Sequence, residues 1–128
     1  MVKVLIDGQT VDAERIALVC EAHHVTELWL YGSMVAGDYT PDSDVDFMAV
    51  IDPDRLEDVS VPALTVDLTG ILGGSRHADV VCEHRMNPYY VKATRRTGIQ
   101  IYGRNEGGNQ PTGQPAGETE SRPTTSVR

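Results

Sequence analysis

The run VDFMAVI at 45–51 limits the fold more than any other stretch of the chain. Its β-branched and aromatic residues, closed by Asp52-Pro53, read as a strand. Strand side chains alternate, so Val45 and Phe47 point into a core while Asp44 and Asp46 share the other side. Two carboxylates so close repel each other and persist where a positive group lies between them or a proton is shared. A divalent cation such as magnesium or manganese suits hard oxygen ligands of this kind. An acidic strand edge that discourages sheet-to-sheet association would carry the same residues.

The flanking segments indicate what surrounds that strand. VDAERIALVCEAHHV, 11–25, repeats apolar residues at helical spacing, with Asp12 as cap and an end near His23 or His24. TELWLYG, 26–32, is a strand ending at glycine, and Ser33 to Ala36 can form a helical turn. DYTPDSD, 38–44, is a loop, which makes Asp42 a loop residue. Over 63–72 a helix broken late by Gly70, Gly73 and Gly74 competes with a strand at Leu64 to Leu68. The need for a crossover before the next strand favours the helix. ADVVCEH, 78–84, is a third strand, and NPYYVKATRRTG, 87–98, a helix with Asn87 capping and Pro88 in its first turn. IQIY, 99–102, is a last strand or extended segment. Together they predict an α/β (α+β) domain with a small mixed β-sheet flanked by helices.

The 128 residues suffice for one such domain, expected over 1–102. Residues 103–128, rich in Gly, Pro, Gln, Thr and Ser, offer almost nothing to bury and are expected to form a disordered tail. That tail carries three basic and three acidic residues, so the net charge of −8 belongs to the domain. An acidic domain repels phosphate backbones, which argues against a nucleic-acid partner but not against a nucleotide bound through metal. Cys20 and Cys82 lie in apolar surroundings outside any zinc spacing and read as buried free thiols. Adjacent His23 and His24 point apart on a helix and do not make a metal pair. No apolar stretch approaches membrane-spanning length and no signal peptide is evident, so a cytoplasmic protein without membrane contact is expected.

The acidic pair has company. Gly32-Ser33 ends the first of these strands, where bare backbone and a hydroxyl can receive phosphate, and Asp79 opens the third strand. GSMVAGDYTPDSDVDFMAV, 32–50, resembles the signature of the nucleotidyltransferase superfamily related to DNA polymerase beta: Gly-Ser, about ten residues, then Asp-x-Asp. The size and layout of 11–102 resemble more narrowly the minimal nucleotidyltransferases (MNT), many of them antitoxins paired with HEPN-domain toxins.

The resemblance implies that Gly32 and Ser33 hold the nucleotide triphosphate and that Asp44 and Asp46 bind two magnesium ions. Asp79 matches the third acid, which bridges metal and the incoming hydroxyl; Asp67 is a rival for that place and Glu83 a weaker one. Met34 stands where relatives commonly have arginine, so Lys92, Arg95 and Arg96 are candidates to supply positive charge to the phosphates. The implied activity is AMP transfer from ATP to a tyrosine of a HEPN ribonuclease, which silences it. Two other readings accompany it: an inactive MNT-fold protein that neutralises its partner by occlusion, and a small-molecule adenylyltransferase of the aminoglycoside type.

Overall fold

The computed structural model describes residues 3–73 and 76–104. It opens on a hairpin, β1 (Lys3–Ile6) and β2 (Gln9–Asp12), that the sequence did not lead one to expect. Asp7 and Gly8 both take positive φ, 54° and 72°, as a two-residue hairpin turn requires. The hairpin delivers Ile6 and Val11 to the core. Asp12 then caps α1 (Ala13–Ala22) by accepting from the Glu14 amide at 2.9 Å.

After α1 come β3 (Val25–Tyr31), the single turn α2 (Ser33–Ala36) and β4 (Val45–Ile51). Two short 3-10 turns over Pro53–Asp58 lead to α3 (Val61–Ile71), capped by the Ser60 hydroxyl. The helix prevails over the competing strand at 64–68 because β4 and β5 (Ala78–Cys82) run parallel and need a crossover between them. The third strand stops at Cys82 rather than His84, and Glu83–Arg85 form a 3-10 turn. Asn87 caps α4 (Pro88–Thr97), and β6 (Ile99–Gly103) closes the sheet. The Arg104 amide donates to the Thr26 carbonyl at 2.7 Å, so the fold runs past residue 102. Of the expected tail, 103–128, all from residue 105 onward lies outside the described residues.

The four strands lie in the order β5-β4-β3-β6, with β4 and β5 parallel and the other pairs antiparallel: a mixed sheet, as expected. Leu28, Leu30, Val45, Phe47, Ala49, Ile51, Val80 and Cys82 project to one side and are buried in the core to which α1 and α3 contribute Ile16, Cys20, Leu64 and Leu68. The alternate residues Glu27, Trp29, Tyr31, Asp46, Met48, Asp79 and Val81 face the other way. α4 covers part of that second face, with the Arg95 guanidinium 5.5 Å from the Trp29 ring centre. Met48 is fully buried there, apart from the main core.

Candidate active site

The end of the second face left open by α4 holds the acidic residues. Asp46 on β4 stands in register with Tyr31 on β3 and with Asp79 on β5. Asp44 is the last residue of the loop before β4 and is exposed. Burial, then the Asp79 charge, then the Asp44 charge, push the Asp46 carboxyl above its ordinary range. The Tyr31 phenol is raised too, first by burial and then by Asp46 and Asp79. These carboxylates therefore sense one another across two strands and a loop. β4 lies between two neighbours, so protection of a sheet edge does not explain its carboxylates.

Among the described residues, no group of three or more histidine, cysteine, aspartate or glutamate side chains forms a metal cage by itself. The donor set still fits a hard divalent cation. Magnesium is usually held by one or two carboxylates, the remaining positions going to water and substrate phosphates. Carboxylates under mutual repulsion, on one open face, are such a partial set.

Next to them lies a cavity of about 450 Å³ lined by Tyr31, Gly32, Ser33, Val35, Ala36, Asp38 and Thr97. Gly32 joins the two. Its φ of 76° and ψ of −147° are open almost only to glycine, and a Cβ there would run into the Asp46 carboxylate. Ser33 and Met34 open α2, so their amides have no acceptor within that helix and can serve an anion. The Met34 side chain packs inward against the core.

The other candidates scatter. Arg95 donates to Glu27 at 3.1 Å and lies 3.9 Å from Glu83, toward the end of β3 remote from Gly32. Arg95 and Glu83 are thus engaged with each other and with Glu27 at that end of the sheet. Lys92 and Arg96 are exposed on α4, with no ion pair among the described residues. Asp67 is bound to His23 at 2.7 Å, a contact linking α3 to the end of α1, away from the acidic pair. His23 thus serves as a tether between helices. Tyr31 and Thr97 are cavity residues that the sequence reading passed over. The alternation along β3 could have pointed to Tyr31, which pairs with Asp46 and faces the same side of the sheet. Nothing local marks Thr97, which reaches the cavity only because α4 folds back over the sheet.

The family described as polymerase beta, nucleotidyltransferase matches residues 14–107. Among solved structures, a minimal nucleotidyltransferase is 27% identical, with a TM-score of 0.56 over 68% of this chain and 86% of that one. A toxin–antitoxin complex with AMP-PNP is 19% identical, with a TM-score of 0.58 over 73% and 74% of the two chains. A mutant MntA–HpeT toxin–antitoxin complex, 14% identical, has a TM-score of 0.51 over the same shares. At these identities the two complexes share the fold. No curated protein matches the sequence significantly.

Proposed function

This chain belongs to the polymerase beta nucleotidyltransferase family, and from that premise we propose that it transfers AMP from ATP to a tyrosine of a HEPN-domain ribonuclease toxin. The observation that carries the reading is the register that sets Asp46 beside Asp79, with Gly32 against the Asp46 carboxylate. That arrangement puts a cavity of about 450 Å³ next to a partial ligand set for divalent metal. Structures of the same fold in toxin–antitoxin complexes, one with AMP-PNP, support the choice of partner and nucleotide.

In this reading Asp44, Asp46 and Asp79 hold magnesium, and Gly32 and Ser33 receive the triphosphate. Magnesium bound there supplies Lewis-acid stabilisation of the attacking and departing oxygens. The acceptor oxygen bonds to the α-phosphorus, the α–β anhydride breaks and pyrophosphate leaves. The acceptor's phenolic proton goes to a carboxylate oxygen of Asp79. Gly32 lets the phosphates approach the backbone, and the amides of Ser33 and Met34 donate to them. Lys92 and Arg96, exposed on α4 with no ion pair among the described residues, are the candidates to meet the phosphate tail. The open face beyond Asp79 leaves room for a tyrosine brought by another protein.

A second reading, occlusion of the partner without catalysis, draws on a specific observation. Met34 packs into the core, and no basic side chain lines the cavity among the described residues. One experiment decides between the two. The chain is co-expressed with the product of its adjacent gene, and the purified pair receives ATP and magnesium. Intact-mass spectrometry should find AMP on a partner tyrosine, lost by a factor of at least about 100 in Asp46→Asn. A tight complex that acquires no AMP selects occlusion.

A further inference from the structure

An arginine outside the expected motif, its side chain largely withdrawn from solvent, grips the loop that leads to Asp44. The Arg76 side chain is 9% exposed and sits between the end of α3 and the start of β5. Its Nε donates to Asp7 Oδ2 at 2.6 Å and its Nη2 to Asp7 Oδ1 at 3.4 Å, a two-point contact with the hairpin turn. Its Nη1 donates to the carbonyls of Thr40 and Ser43, each at 2.7 Å. The Tyr39 ring lies 5.2 Å below the guanidinium carbon. One planar group thus gathers three backbone regions: the β1–β2 turn, the 38–44 loop and the approach to β5.

The grip falls where it affects the site. The Ser43 carbonyl belongs to the peptide that carries the Asp44 amide, so holding that oxygen fixes the orientation of Asp44. On the other side of Asp44, the Val45 amide donates to the His77 carbonyl at 3.0 Å, next to Arg76 in sequence. Within the loop, Ser43 and Thr40 bond each other, the Thr40 amide to the Ser43 hydroxyl at 2.8 Å. The loop has no regular secondary structure, and Asp44 itself is exposed. Asp7 already faces the Arg76 charge, so the guanidinium acts as a brace rather than as a phosphate ligand.

We propose that Arg76 is a positioning residue that clamps the 38–44 loop to the N-terminal hairpin and so holds Asp44 beside Asp46 and Asp79. The inference rests on the metal-binding role given to those aspartates above. Arg76→Lys is the informative variant, because it keeps the charge but loses the planar fork that reaches both carbonyls and Asp7. Mn²⁺ affinity is measured by electron paramagnetic resonance on the full chain with a non-hydrolysable ATP analogue. Arg76→Lys should weaken Mn²⁺ binding about tenfold, the range seen when a support behind a metal ligand is lost. Hydrogen exchange should quicken over 40–45 and stay unchanged in α1 and β3. In active protein the magnesium requirement should rise by the same factor while KM for ATP at saturating magnesium is constant.

Asp7→Asn releases only the hairpin side and should give a smaller loss of Mn²⁺ affinity; it decides the matter if Arg76→Lys does not fold. Equal Mn²⁺ affinity and equal loop exchange in wild type and variants overturn the role of Arg76 alone. Wild-type protein that binds Mn²⁺ without transferring AMP removes the proposed catalysis and leaves the clamp to be judged on affinity and exchange. Wild-type protein that binds no Mn²⁺ overturns both.

Discussion

Gly32 meets two demands at once: a backbone conformation closed to other residues and space for the Asp46 carboxylate beside it. Gly32→Ala should therefore cost on the order of 1–3 kcal/mol by strain alone, and AMP transfer should fall with it; chemical denaturation and the mass-spectrometric assay read the two separately. Asp46→Asn should behave in the opposite way on stability. Burial and two like charges hold the Asp46 carboxyl above its ordinary range, so the native state binds a proton more tightly than the unfolded chain does. Metal-free protein should gain stability as pH falls through that raised titration, and gain no more below the unfolded carboxylate value of about 3.9. In chelator at pH 7 the asparagine variant should melt slightly higher than wild type, the advantage vanishing in acid; a large drop in melting temperature would contradict this. Cys20 illustrates the reverse of reactivity. Burial pushes its thiol up to about 12, and Cys82 is raised as well. A thiol reagent at pH 8 should label neither cysteine in native protein and both after unfolding.

β4 carries core and site on its two faces, which is why so much of this fold was legible beforehand. The alternation in VDFMAVI was enough to send Phe47 inward and Asp46 outward, and the strand spans Val45–Ile51 as expected. Phe47 is 1% exposed, and Phe47→Ala should cost about 3–5 kcal/mol, a large part of the roughly 5–15 kcal/mol that holds a domain together; a urea titration measures it. Asp79 was placed by the strand that follows it, whereas its register with Asp46 required the sheet order. The hairpin was missed although Asp7-Gly8 is a strong turn signal, because its strands are only four residues each. The Arg95 and Arg76 partners were illegible for another reason: they join residues dozens of positions apart, and only the finished packing selects among several exposed carboxylates. One such long-range contact has a pH signature. The Asp54 amide and then Arg104 hold the Asp52 carboxyl below its usual range, tying the end of β4 to the end of β6. Its contribution is present above the unfolded carboxylate pKa and is lost as pH falls through the lower, folded one. Asp52→Asn should melt lower than wild type at pH 7 and converge with it in acid, as thermal melts across pH will show.

The molecule as a whole is acidic, with a net charge of −8, and no helix among the described residues is long and apolar enough to cross a membrane. If the partner is the ribonuclease proposed above, it must offer positive charge to its RNA, and an acidic protein would be steered to the same surface. Its association rate with such a partner should drop about tenfold or more between low and high ionic strength, while dissociation changes little; stopped-flow mixing at several salt concentrations provides the check. The parallel pairing of β4 with β5 has a consequence in time rather than in space. Asp46 and Asp79 meet only after the α3 crossover has been made and docked, a pairing between segments far apart in the chain. A ribosome must therefore release the chain well beyond Cys82 before the proposed centre can assemble. A protease that cuts within the crossover should loosen the proposed centre with a single nick, because one connection holds the two aspartates' strands in the same chain.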